Sequence, residues 1–142
     1  MKDLLERYFA GRDDIAFAFL FGSQAKGAAT ARSDVDVAVY FAPDPRQPLE
    51  VEEQVRYPAE DSIWGDLERL LGREVELLVL NRAPADVAAS ALDGIPLSIR
   101  NWDLYLDFAA IATRTAVDFR ETIVRDYRER NGLANRDQDT VD

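Results

Sequence analysis

Apolar residues recur along this chain with two different periods, and the places where the period changes outline its elements. Leu4, Leu5, Tyr8 and Phe9 share one helical face, which predicts a first helix over 3–12. Ile15 to Phe21 is an unbroken apolar run, short and rich in aromatics, and it stops at Gly22. That combination favours a buried strand. A short helix is expected from Ser23 to about Ala29. From Asp34 to Phe41 the chain alternates, with Val35, Val37, Val39 and Phe41 on one face and Asp34 and Asp36 on the other.

The prolines of 42–48 mark a loop. Leu49 to Leu71 reads as mostly helical, broken or kinked at Pro58 and stopped by Gly72. Glu74 to Leu80 is a third strand, Ala85 to Leu92 a small helix stopped by Gly94, and Ile95 to Ile99 a short fourth strand. Trp102 to Arg130 is a long helix. This order predicts an α/β (α+β) domain over 1–130, a small mixed sheet flanked by helices. Residues 131–142 read as a flexible, acidic tail.

The long helix carries Tyr105, Phe108, Ala109, Ala112, Ala116, Phe119, Ile123 and Tyr127 along one stripe. It would extend about 43 Å, longer than a domain this small covers easily. Its first half is expected to pack on the sheet and its second half to dock on a partner.

Composition narrows the chemistry. Of the 142 residues none is cysteine or histidine, which excludes disulfides, thiol or imidazole catalysis and thiolate or imidazole metal sites. Any metal must be held by oxygen. With 27 acidic and 17 basic side chains the formal charge is −10. Such a surface disfavours direct nucleic-acid contact and anionic membranes, and favours a basic protein partner. The chain shows neither a signal peptide nor a hydrophobic span, so the cytoplasm is the expected compartment.

The candidate chemistry lies in Gly22-Ser23, ten further residues, then Asp34-Val35-Asp36. Two carboxylates on one strand face repel unless a cation lies between them. Mg²⁺ suits such a pair, because it takes one or two carboxylates and completes its shell with phosphate oxygen and water. A Gly-Ser turn upstream can offer a hydroxyl and backbone N–H groups to a phosphate. A solvated polar strand face and a simple capped turn are the structural alternatives.

This motif resembles the signature of the DNA polymerase beta-like nucleotidyltransferases, and the chain's length is similar to that of their minimal (MNT) members. The resemblance covers roughly residues 14–100. It implies a nucleotidyltransferase fold with its site on an open sheet edge or face. It implies that Asp34, Asp36 and a third carboxylate, Glu76, hold two Mg²⁺ and carry catalysis, with ATP as substrate. Glu76 stands in Val75-Glu76-Leu77 where minimal members usually have Asp; Glu74, on the same face, is the fallback. Gly22, Ser23, Lys26 and Ser33 would bind the nucleotide, with Arg32 near the triphosphate and Gly27 permitting the turn after the short helix. Small members of the family are often antitoxins of HEPN/MNT toxin–antitoxin pairs. The resemblance therefore implies transfer of AMP to a tyrosine hydroxyl of a HEPN ribonuclease toxin, within a hetero-oligomer. Two alternatives stay open: an antitoxin that acts by binding alone, and a transferase acting on a small molecule such as an aminoglycoside.

Overall fold

A computed structural model of the chain describes residues 1–27, 34–43 and 56–130; within the last helix the side chains of 116–123, 126–128 and 130 are not described. The elements run α1 (Lys2–Ala10), β1 (Ile15–Phe21), α2 (Gly22–Ala25), β2 (Val35–Phe41), α3 (Glu60–Leu71), β3 (Val75–Val79), α4 (Ala85–Leu92), β4 (Ile95–Ile99) and α5 (Trp102–Arg130). This is the order the sequence predicts. Among the described residues no helix is long and apolar enough to cross a membrane.

The four strands form one sheet in the order β3-β2-β1-β4. β1 is antiparallel to β2 and β4, and β2 is parallel to β3, so the sheet is mixed. β1 lies inside the sheet and is buried on both faces, which explains why Ile15–Phe21 has no polar alternation. One face packs Leu20, Val35, Val37, Val39 and Phe41 against Leu5 and Phe9 of α1 and Ile63 and Leu67 of α3. The other packs Phe17, Phe19 and Ala38 against Ala88 and Ala91 of α4 and Ala112 of α5.

An aromatic cluster fastens α5 to that second face. The Phe17 ring stacks on Tyr40 at 4.9 Å and meets Tyr105 at 5.4 Å and Phe108 at 5.8 Å. Phe19 stacks on Tyr105 at 5.5 Å. Burying one such ring is worth about 1.5–3 kcal/mol, with about 0.5–1.5 kcal/mol more for each well-oriented ring pair. Ala112 is the last buried residue among the described side chains of α5; beyond it the described Thr113, Arg114, Thr115, Val124, Arg125 and Glu129 are all exposed.

Several boundaries differ from the sequence reading: α1 ends at Ala10 rather than Arg12. α2 is a single turn, ending at Ala25 rather than near Ala29. In the stretch expected over 49–71 the break expected at Pro58 is borne out, and α3 runs from Glu60 to Leu71. Residues 49–55 lie outside the described residues, and Pro58 and Ala59 form a turn. Proline cannot supply the N–H a continuing helix needs. The Glu60 carboxylate instead reaches back to accept the Tyr57 N–H at 2.8 Å, fixing the helix start there. The third strand gives way after Val79 to a 3₁₀ turn, Leu80–Arg82. There the Asn81 side chain accepts the Phe41 N–H at 2.8 Å and donates to the Phe41 carbonyl at 3.0 Å, standing in for the strand pairing that has ended. The tail over 131–142 lies outside the described residues.

Candidate functional site

The sheet register brings the acidic candidates together. Asp36 lies opposite Phe21 of β1 on one side and Glu76 of β3 on the other. Residues paired across neighbouring strands share a face, so Asp36 and Glu76 stand side by side. They continue the face that α4 and α5 cover further along, but here Asp36 is half-buried and Glu76 exposed. Asp34, two residues before Asp36, is exposed at the mouth of β2. Glu74 is exposed and precedes β3; its carbonyl accepts the Val35 N–H at 3.1 Å.

The turn between β1 and α2 presses on this group. Gly22 has φ +72°, and a Cβ built there would overlap the Asp36 carboxylate. Only glycine accommodates both the conformation and the approach. Ser23 follows, half-buried in the single turn of α2, and Lys26 is exposed at its end. The first N–H groups of a helix have no acceptor within it, so they remain available to an anion. Gly27 turns the chain with φ +70°. Ser33 and Arg32 lie outside the described residues.

Two side chains of α3 hold the third carboxylate in place. The Glu68 carboxylate accepts the Val75 N–H at 3.1 Å, and the Trp64 indole N–H donates to the Val75 carbonyl. Both peptide groups of the residue before Glu76 are thus tied to one helix, on the outer edge of the sheet. Nothing in the local pattern around Trp64 or Glu68 announces this role; it follows from α3 packing against β3.

Electrostatics set Asp36 apart. Its carboxyl is held above the ordinary carboxylate range, first by burial and then by the negative charges of Glu76 and Asp34. A divalent cation relieves such crowding, and the donors here are hard carboxylate oxygens suited to Mg²⁺. Among the described residues no three acidic side chains close into a ready-made ion cage. A separate cleft of about 380 Å³, lined by Asp13, Ala16, Ala42, Arg100, Asn101, Trp102 and Asp103, opens at the opposite end of the sheet and has no part in this arrangement.

Comparison with known proteins agrees with this geometry. The family described as Polymerase beta, Nucleotidyltransferase matches residues 4–103. No curated protein matches. Among solved structures, a toxin–antitoxin complex with AMP-PNP superposes with a TM-score of 0.66 at 20% identity, covering 89% of this chain and 97% of that one. The complex of a tri-AMPylated Shewanella oneidensis HEPN toxin with its MNT antitoxin gives a TM-score of 0.60 at 20% identity, covering 89% and 98%. An MntA–HepT toxin–antitoxin complex gives 0.59 at 19% identity, covering 88% and 97%. At these identities the likeness is one of fold.

Proposed function

The chain belongs to the polymerase beta nucleotidyltransferase family, and from that premise we propose that it transfers AMP from ATP to a tyrosine hydroxyl of a HEPN-domain toxin, and so neutralises it. The observation that carries the reading is the register that sets Asp36 beside Glu76, against a glycine turn that fits no Cβ.

In this reading Gly22, Ser23, Lys26 and Ser33 hold the triphosphate. Asp34, Asp36 and Glu76 provide the oxygen ligands for Mg²⁺. Bound there, the metal supplies charge stabilisation at the phosphates. Glu76, exposed at the sheet end, takes the proton of the incoming phenol. The phenolic oxygen forms its bond to the α-phosphorus as the bond to the β-phosphate oxygen breaks, and pyrophosphate leaves. The strand register already sets Asp36 beside Glu76, which would limit the reorganisation the reaction needs.

The exposed half of α5 supports a protein partner. Past Ala112 it projects as a helix whose described side chains are all in solvent. Helices in proteins draw most of their stability from packing an apolar face, and the 18 residues past Ala112 would gain it from a partner surface. A formal charge of −10 suits a basic partner such as an RNA-binding toxin. AMP on that toxin would add negative charge where RNA must approach.

The test is neutralisation in cells. A toxic HEPN partner is co-expressed with the wild-type chain or with Asp34→Ala/Asp36→Ala. The proposal expects rescue by the wild type alone; equal rescue by the double variant would make the chain an antitoxin by binding only.

A further inference from the structure

β3 is an edge strand, and the way its outer side is closed bears on Glu76. Successive residues of a strand turn their N–H and C=O groups to opposite sides. The Glu74 carbonyl accepts the Val35 N–H, so Glu74 and Glu76 turn their backbone towards β2, and Val75 turns its own outwards. An open edge leaves such groups to water or to another chain. Here α3 takes both: Glu68 accepts the Val75 N–H at 3.1 Å, and the Trp64 indole donates to the Val75 carbonyl. The ion pair of Glu60 with Arg82 ties the first residue of α3 to the turn after β3. One helix thus grips the edge strand near both of its ends.

The Val75 carbonyl belongs to the peptide unit that ends at the Glu76 Cα. That unit is planar, so an anchor on its oxygen constrains the Cα from which the Glu76 side chain springs. Trp64 is 39% exposed, so its ring is only partly used in packing while its N–H is engaged on the strand. The partner on the other side of Val75 is a carboxylate, and hydrogen bonds to charged acceptors are the strong ones. Given the transferase reading, on which this rests, we propose that Trp64 and Glu68 are positioning residues for AMP transfer. They act through the two peptide groups of Val75 to hold Glu76 level with Asp36. Displacing a reacting group by about 1 Å costs about 100-fold in rate, so a partial loosening of this grip is visible in turnover.

Trp64→Phe keeps a ring and removes the donor. Glu68→Leu removes the acceptor, and Glu68→Gln keeps one. Transfer from labelled ATP to a cognate HEPN toxin is measured with Mg²⁺ and the full chain. Turnover is expected to fall about tenfold in Trp64→Phe and in Glu68→Leu, with KM for ATP within about twofold of the wild type, because the glycine turn and both aspartates are untouched. Glu68→Gln is expected to stay within about threefold of the wild type. Added to Glu76→Gln, Trp64→Phe is expected to leave the residual transfer unchanged, since the group it positions is already gone. A second readout needs neither metal nor nucleotide: exchange of the Val75 amide in the free chain is expected to quicken about tenfold in Glu68→Leu and to stay near the wild-type rate in Glu68→Gln.

An equal loss from Trp64→Phe with and without Glu76 would overturn the assignment and make the indole a matter of general stability. A lowered thermal midpoint with unchanged turnover would overturn it too, and so would faster exchange at Val75 with unchanged turnover. If Trp64→Phe does not fold, the contrast between Glu68→Leu and Glu68→Gln decides alone. If the wild type transfers AMP and every variant matches it, only the assignment fails. If the wild type transfers none, the transferase reading falls first and the assignment with it.

Discussion

Gly22→Ala and Gly72→Ala form a matched pair that isolates the contact between the turn and Asp36. Both glycines have left-handed backbones, φ +72° at Gly22 and +62° at Gly72. Alanine in that region costs about 1–2 kcal/mol. At Gly72 a new Cβ meets nothing within 4 Å, so strain is its whole cost. At Gly22 it overlaps the Asp36 carboxylate and comes within 3.1 Å of Cγ and 3.4 Å of Cβ of the same side chain. Rotating the carboxylate relieves the first contact but leaves the others tight, so Asp36 must shift.

A domain of this size loses about 3–5 °C of thermal midpoint per kcal/mol. Gly72→Ala is therefore expected to lose about 3–10 °C, and Gly22→Ala at least as much. Their activities are expected to diverge. Displacing a reacting group by about 1 Å costs about 100-fold in rate, so Gly22→Ala should lose about two orders of magnitude in AMP transfer, while Gly72→Ala keeps near wild-type activity below its midpoint. The assay is thermal unfolding of both proteins beside transfer from labelled ATP at a temperature where both are folded. Equal activity in the two variants would refute the reasoning, because it would mean that the position of Asp36 does not matter to the reaction.

Other consequences follow from the same contacts. Asp36→Asn removes a half-buried charge crowded by Glu76 and Asp34. Because the folded carboxyl titrates above its ordinary range, ionised Asp36 costs stability at neutral pH and the cost vanishes as pH falls through that raised value. The variant is expected to melt higher than the wild type at pH 7 without divalent cations, to lose that advantage in acid, and to be inactive; a lower midpoint at pH 7 would contradict this. The Glu60 carboxylate is 6% exposed and makes a two-pronged ion pair with Arg82, at 2.6 and 2.7 Å. Its carboxyl is held below the ordinary 4.5, first by the hydrogen bonds from Arg82. The pair's contribution is therefore fully present above that ordinary value and is lost as pH falls through the lower folded one. Glu60→Gln should cost about 1–3 kcal/mol in denaturant unfolding at pH 7, shrinking towards zero in strong acid; a pH-independent cost would mean that packing, not charge, is responsible. Phe17→Ala, which empties the centre of the aromatic cluster under α5, should cost about 3–5 kcal/mol, and a loss below about 1 kcal/mol would show that α5 is not anchored there.

Much of this architecture is legible in the sequence because single residues decide it. The apolar run of β1, the alternation of β2 and the first half of the stripe on α5, from Tyr105 to Ala112, each state their burial directly. Gly22-Ser23 and Asp34-Val35-Asp36 mark the candidate site because the strand period puts both aspartates on one face. What was not legible is tertiary. The start of α3 depends on Glu60 reaching back to Tyr57 and across to Arg82, 22 residues away. The end of β3 depends on Asn81 pairing with Phe41, 40 residues away. Glu76 could be singled out only through the family's habit of a third carboxylate; the parallel register with β2 then places it beside Asp36.

The most direct test of the central claim is the intact mass of a cognate HEPN toxin after incubation with this chain, ATP and Mg²⁺, beside the same mixture made with Asp34→Ala/Asp36→Ala. The account predicts a gain of one or more AMP units on the toxin with the wild type and none with the variant. An unchanged mass, while the toxin is nonetheless neutralised, would contradict it and leave an inhibitor that acts by occupying its partner.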